Sequence, residues 1–188
     1  MRAVLLTDVS HGINRIMEGS GLMTDPMPVA PHPPRVKGVV TLQRPHDPDY
    51  LNLLRLWELK RSTRLMPSRS DFDPSELAML LPDIFMVDVL PPPGHYRFRL
   101  MGEKVVSFHG DNFSGKTFAE CFEPRAAALL VALFDTVVES RAPIFRTGEA
   151  YWWSDKRYSA FECCYFPLSG DGQTANMVIG AMRFPKRH

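Results

Sequence analysis

Gly110-Asp-Asn-Phe-Ser-Gly115-Lys116-Thr117 satisfies the pattern GxxxxGK[ST] letter for letter. In a nucleotide hydrolase that pattern forms a loop whose backbone amides and lysine hold phosphates. The chemistry also needs a buried parallel strand before the loop, a helix after it and strand-helix-strand units around it. Val105 to Phe108 could pose as the strand, but only about seventy residues follow Thr117, and they read as one helix and an antiparallel meander. The magnesium-holding acid is missing too. Asp135 ends an apolar run of helical spacing, and Asp88 lies upstream. The other reading makes Gly110 and Gly115 turn residues, leaves Lys116 solvated and lets Thr117 cap a following helical turn.

Other reactive types are sparse. The cysteines are Cys121, Cys163 and Cys164, an odd number with one adjacent pair and no Cys/His spacing suited to zinc. Cys163 or Cys164 as a nucleophile would need a nearby partner, and neither has one in sequence; a thiol inside a strand is ordinarily buried and inert. Arg97 and Arg99 share one face of a strand, where they could hold an anion or an acidic partner, or form an ion-paired surface. Tyr151, Trp152 and Trp153 are consecutive, so any strand turns at least one ring outward, which marks an interface.

Composition narrows the setting. The chain has 188 residues, 45% hydrophobic and 23% charged, with a formal net charge of +1, as expected of one globular domain plus a tail. No basic run is interleaved with aromatics, so nothing calls for nucleic acid or an anionic membrane. Ala3-Val-Leu-Leu6 is too short for a signal-peptide core, and no stretch reaches the ~18 apolar residues of a membrane span. The expectation is a cytoplasmic protein with reduced thiols that requires no cofactor.

The elements that must position these residues follow in order. Residues 1–45 are expected as a flexible tail, proline-rich at Met23 to Arg35, with a short helix allowed at Gly12 to Glu18. Met17 or Met23 could equally be the start. Asp47-Pro48 opens a helix carrying Tyr50, Leu53, Leu54 and Trp57 at helical spacing. Asp73-Pro74-Ser75-Glu76 opens a second, short one that Pro82 ends, completing a helical extension over 46–82. Ile84 to Leu90 and His95 to Met101 form a hairpin through Pro91-Pro-Pro-Gly94, with Tyr96, Phe98 and Leu100 on the apolar face. Glu103 to His109 makes a turn or two of helix. Pro124 to about Arg141 is a longer helix with an apolar stripe through Ala127, Leu130, Val131, Phe134 and Val137. Three strands, Ile144 to Trp153, Tyr158 to Leu168 and Asn176 to Phe184, complete a meander through short polar turns. Reversals this short exclude parallel neighbours, so the class is α+β.

The pattern of Trp57, Pro67-Ser68-Arg69, Asp73-Pro74, Leu80-Leu81-Pro82, Tyr96, Phe98-Arg99-Leu100, Gly102, Gly110, Gly115-Lys116, Pro167-Leu168 and Gly172 resembles a bacterial family of stand-alone PAS-like domains, common in alphaproteobacteria. The likeness covers about two thirds of the chain, from Trp57 onward. It implies a five-stranded antiparallel sheet, over 83–188, with helices packed on one face and a role in sensing small molecules or pairing proteins. It also implies a homodimer through the helix before the first strand, which carries Tyr50, Leu53, Leu54 and Trp57; Trp152 and Trp153 join these as interface candidates on the strand argument given above. The family has no agreed catalytic residues.

By analogy with PAS pockets, a ligand would meet Phe98, Leu100, Phe108, Phe118, Phe122, Leu130, Phe134 and Val178 between sheet and long helix. Plain core is the competing reading. In the strand Tyr158 to Leu168, Phe161, Cys163 and Tyr165 compete with Cys164, Phe166 and Leu168 for that inner face; the second set is taken as inward. His109 could ligate a haem iron as in some PAS sensors, or be a turn residue. The function expected is a non-enzymatic signalling domain that binds a small ligand or a protein partner. The alternatives are a pure interaction module with a filled core and nucleotide hydrolysis at Gly110 to Thr117. No output module is recognisable, so an unidentified signalling protein would carry the response.

Overall fold

A computed structural model describes residues 35–152 and 157–183. The Asp47-Pro48 signal does what its chemistry dictates: the Asp47 carboxylate accepts from the amides of Asp49 and Tyr50, and α1 (Pro48–Arg61) follows. Asp73 likewise caps a 3-10 helix, Pro74–Asp83, through a capping box with Glu76. The hairpin is β2 (Ile84–Leu90) and β3 (His95–Met101). Then come α2 (Glu103–His109), the one-turn α3 (Phe118–Cys121) and α4 (Pro124–Ser140). The meander is β4 (Ile144–Trp152), β5 (Arg157–Leu168) and β6 (Met177–Arg183).

One strand was not expected. Arg35–Leu42 forms β1, paired antiparallel with β4, so the last part of the presumed tail is ordered sheet and the sheet has six strands, not five. Its signal, Val36, Val39 and Val40 around Gly38, was masked by the prolines just before it. Residues 1–34, and with them most of the expected tail, lie outside the described residues. The order across the sheet is β1-β4-β5-β6-β2-β3, with every pairing antiparallel.

The second correction concerns the faces. Helices cover both sides of the sheet. On one side, Tyr50, Leu53, Leu54, Trp57 and Leu77 pack on Met86, Cys164, Phe166, Leu168 and Ile179. On the other, Phe118, Phe134 and Val137 pack on Phe85, Val87, Phe98, Cys163, Tyr165 and Val178. Strand β5 therefore buries both alternating sets. Cys164 and Phe166 belong to the α1 side, not to the face under α4 where the sequence reading had put them. Tyr50, Leu53, Leu54 and Trp57 are likewise consumed in their own chain's core and are not free for a dimer contact. Trp57 Nε1 donates to the Pro167 carbonyl at 2.9 Å, fixing α1 to β5.

Leu100 departs from its expected face as well. Met86 pairs with Leu100 and Val87 with Phe98, so Arg99 is an extra residue opposite β2, a β-bulge. The bulge reverses the alternation: Met101 turns into the core and Leu100 is 39% exposed. Trp153 lies outside the described residues, as does the placement of the Trp152 side chain.

Candidate functional site

The GxxxxGK[ST] loop is built against β3. Gly110 and Gly115 take φ of 80° and 88°, left-handed geometry that a side chain would disfavour. Gly115 N donates to Phe98 O at 2.6 Å and Phe98 N to Lys116 O at 3.0 Å, so the loop seals part of the outer edge of the sheet. The remaining amides are also occupied. Asn112 N donates to the Asp111 carboxylate, Phe113 N to Met101 Sδ, and Ser114 N to Asn112 Oδ1. Lys116 N donates to Phe113 O and Thr117 N to the Glu120 carboxylate. Every N–H from Asn112 to Thr117 thus has an acceptor inside the protein, and none is left for a phosphate. Thr117 and Glu120 form the capping box of α3, the turn-and-cap role open to these residues. Lys116 Nζ lies 3.4 Å from the Asp111 carboxylate at the surface.

Behind this loop is an aromatic cluster. Phe98 and Phe118 have ring centroids 5.0 Å apart, as do Phe118 and Phe134; Tyr96 lies 5.4 Å from Phe118 and Tyr165 5.7 Å from Phe134. Rings at these separations are in van der Waals contact. Of the residues expected around a ligand, the structure brings together Phe98, Phe118, Phe134 and Val178, with Phe108, Phe122 and Leu130 half-buried at the margin. It separates off Leu100, Cys164 and Phe166, for the reasons given above. Phe113, a single ring in an otherwise polar loop, was missed. It packs 5.3 Å from Phe122 and 6.0 Å from Phe98. The Tyr96 hydroxyl donates to the Asp135 carboxylate at 2.6 Å, crossing from β3 to α4.

His109 closes the cluster at the end of α2. Its ring lies 4.9, 5.6 and 5.9 Å from those of Phe108, Phe113 and Phe122, and its buried Nδ1 has no hydrogen-bond partner among the described residues. Burial among rings holds its pKa down to about 4, so the imidazole is neutral. The turn reading missed this because Gly110 places the His109 ring inward at the helix end. Burial pushes the Cys163 thiol up to about 12 and Cys164 well above its ordinary value, while Cys121 rises to about 11. None is an activated nucleophile. Arg97 and Arg99 both pair with Asp88, at 2.9 and 3.1 Å, as an ion-paired surface.

A further polar group escaped the sequence reading entirely. Arg183, at the end of β6, bonds Asp47, Asp49 and the fully buried Asp83 at 2.8, 2.8 and 3.0 Å. Lys104 reaches the same Asp83 oxygen at 3.1 Å. The clasp joins the start of α1, the end of the 3-10 helix, α2 and the sheet. Its members are 136 positions apart at the extreme, a separation that no local pattern reveals.

An antiparallel sheet with a short helix, a glycine loop and a longer helix over one face is an α+β arrangement. The chain belongs to the PAS domain family, whose model matches residues 46–183. It is therefore a sensory and signalling module. The PAS domain of Bordetella pertussis BvgS is similar, with a TM-score of 0.47 and 18% identity over 59% of this chain and 84% of that one. A LOV protein of Rhodobacter sphaeroides gives a TM-score of 0.42 and 11% identity over 62% and 70% of the two chains. No curated protein matches. Among the described residues, no helix is long and apolar enough to cross a membrane.

Proposed function

We propose that this PAS domain is a non-enzymatic, cytoplasmic interaction module that signals by pairing, first with a second copy of itself, through the outer surface of its N-terminal helices. The observation behind this reading is the distribution of apolar side chains there. While Tyr50, Leu53, Leu54 and Trp57 are buried, Leu59 is 73% and Met79 87% exposed. Met79 and Leu56 also border a surface hollow between α1 and the 3-10 helix. Exposed apolar groups beside a hollow, on a surface rimmed by Asp49 and Glu76, suit a self-complementary two-fold contact. Three free thiols, Cys121 half-buried and Cys163 and Cys164 buried, fit a reducing compartment. Native mass spectrometry and light scattering at micromolar concentration test the reading: a dimer in the wild type that becomes a monomer in Met79→Glu supports it, and a wild-type monomer overturns it.

A second reading keeps a small ligand at the aromatic face, bordered by Phe98, Phe108, Phe118, Phe122, Leu130, Phe134 and Val178. What favours it is the unpartnered Nδ1 of His109, since a buried polar atom with no partner is costly. A ligand donating to that nitrogen would relieve the cost but must displace rings that already touch. The same native mass spectrum decides this, because a retained molecule appears as added mass.

A further inference from the structure

Where the C-terminal ends of α1 and α4 approach each other, an open surface hollow of about 470 Å³ lies outside the aromatic cluster, bordered by residues of both helices and the loops that follow them. A volume of this order accommodates a small molecule. Its walls are chemically divided. Arg61 and Arg141 bring two guanidinium groups, Glu58 and Glu139 two carboxylates, and Leu65 with Pro143 an apolar side. Among the described residues, neither glutamate nor Arg141 makes an ion pair, so opposite charges line one space without closing on each other.

Arg61 carries the clearest sign of an absent partner. Its guanidinium lies 5.7 Å over the Trp57 ring and, among the described residues, makes one hydrogen bond, a long one of 3.4 Å from Nη1 to Arg64 O, while its buried Nε has no acceptor there. A buried guanidinium donor without an acceptor is costly and fits a carboxylate. The backbone points the same way. Ser62 and Arg141 are the non-glycine residues of positive φ among those described, at 51° and 53°, and they cap the two helices that frame the hollow. Glycine is the ordinary choice for such a cap; Arg141 keeps a guanidinium there instead.

We propose that this hollow binds a small apolar α-amino acid, with its carboxylate on Arg61 and Arg141, its ammonium toward Glu58 and Glu139, and its side chain against Leu65 and Pro143. Neither the pairing reading nor the aromatic face is needed for this site. The probe is L-leucine, and the reporter is the Trp57 indole N–H resonance of the full chain, assigned by its loss in Trp57→Phe. L-leucine shifts that resonance saturably at millimolar concentration. L-leucinamide, 4-methylpentanoate and the variants Arg61→Gln and Glu139→Gln each weaken the effect by about tenfold or more. Backbone spectra that overlay on the wild type establish that the variants are folded, and Glu139, being exposed, serves where Arg61→Gln fails that check. No saturable shift up to about 50 mM leucine overturns the proposal. So does equal binding of leucinamide or 4-methylpentanoate, or equal binding by folded variants.

Discussion

The Asp83 carboxylate, fully buried at the head of β2, lies 3.0 Å from the Arg183 guanidinium at the end of β6. Through Asp47 and Asp49 the same guanidinium holds the first turn of α1. Removing it strands a buried negative charge that, among the described residues, has only Lys104 to face it. Arg183→Met is expected to lower stability by roughly 3 kcal/mol, measured by urea denaturation. The double variant Asp83→Asn with Arg183→Met loses less than the sum of the two single losses. A loss below about 0.5 kcal/mol for Arg183→Met would mean that the clasp does not hold α1.

Gly180 faces Phe85 across the β2–β6 pairing, and a Cβ there would come within 1.9 Å of the Phe85 ring. Gly180→Ala is expected to cost about 1–3 kcal/mol through overpacking, with part of the loss recovered when Phe85→Leu is added. Thermal melting of the single and double variants checks this. Equal melting of Gly180→Ala and wild type would remove the argument.

His109 sets an acid limit. Its folded pKa of about 4 lies below the ordinary 6.5, so between those values the unfolded chain binds a proton that the folded chain refuses. The stability contributed by the neutral ring is complete above pH 6.5 and is lost as pH falls toward 4, by up to about 1.4 kcal/mol per unit. Denaturation of wild type and His109→Phe at pH 7, 6 and 5 isolates the effect: wild type loses stability relative to His109→Phe as pH falls in the predicted case, and the difference between the two stays constant otherwise.

Buried thiols should be silent. At pH 8, iodoacetamide is expected to leave Cys163 and Cys164 unmodified in the folded chain and to alkylate all three cysteines in denaturant, read by peptide mass. Rapid native labelling of the pair would instead reveal frequent opening of β5.

The loop of Gly110 to Thr117 should ignore nucleotide. Calorimetric titration with magnesium ATP is expected to give no binding in wild type or Lys116→Ala, since the amides from Asn112 to Thr117 already have acceptors. Binding that depended on Lys116 would restore the phosphate-loop reading.

Much of the architecture was legible because turns and caps are local. Asp47-Pro48, Asp73-Pro74 and Pro124 mark helix starts, and the short polar reversals forced antiparallel neighbours. What remained hidden was non-local. The bulge at Arg99 depends on how β2 pairs and not on any residue in β3, so Leu100 was turned to the wrong side. The run Phe161 to Leu168 does carry the mark of a strand covered on both faces, since it is nearly continuous in apolar residues. Forcing it into one inward set placed Cys164 and Phe166 under the wrong helix. Among the site residues, Phe98 and Phe134 were legible from strand and helix periodicity, while Phe118 came only from the analogy with PAS pockets. Phe113 and the inward ring of His109 were not, because loop conformation placed them.

Successive residues of β5 point into separate compartments, Cys163 toward the rings under α4 and Cys164 toward Trp57 and its neighbours. The wall between them is one peptide thick. Close-packed interiors yield little, so a swelling of a single side chain's size on one side bears directly on what rests against the other. Mechanical news from the aromatic chamber would thus reach α1 through the strand's own displacement, with no relay helix in between.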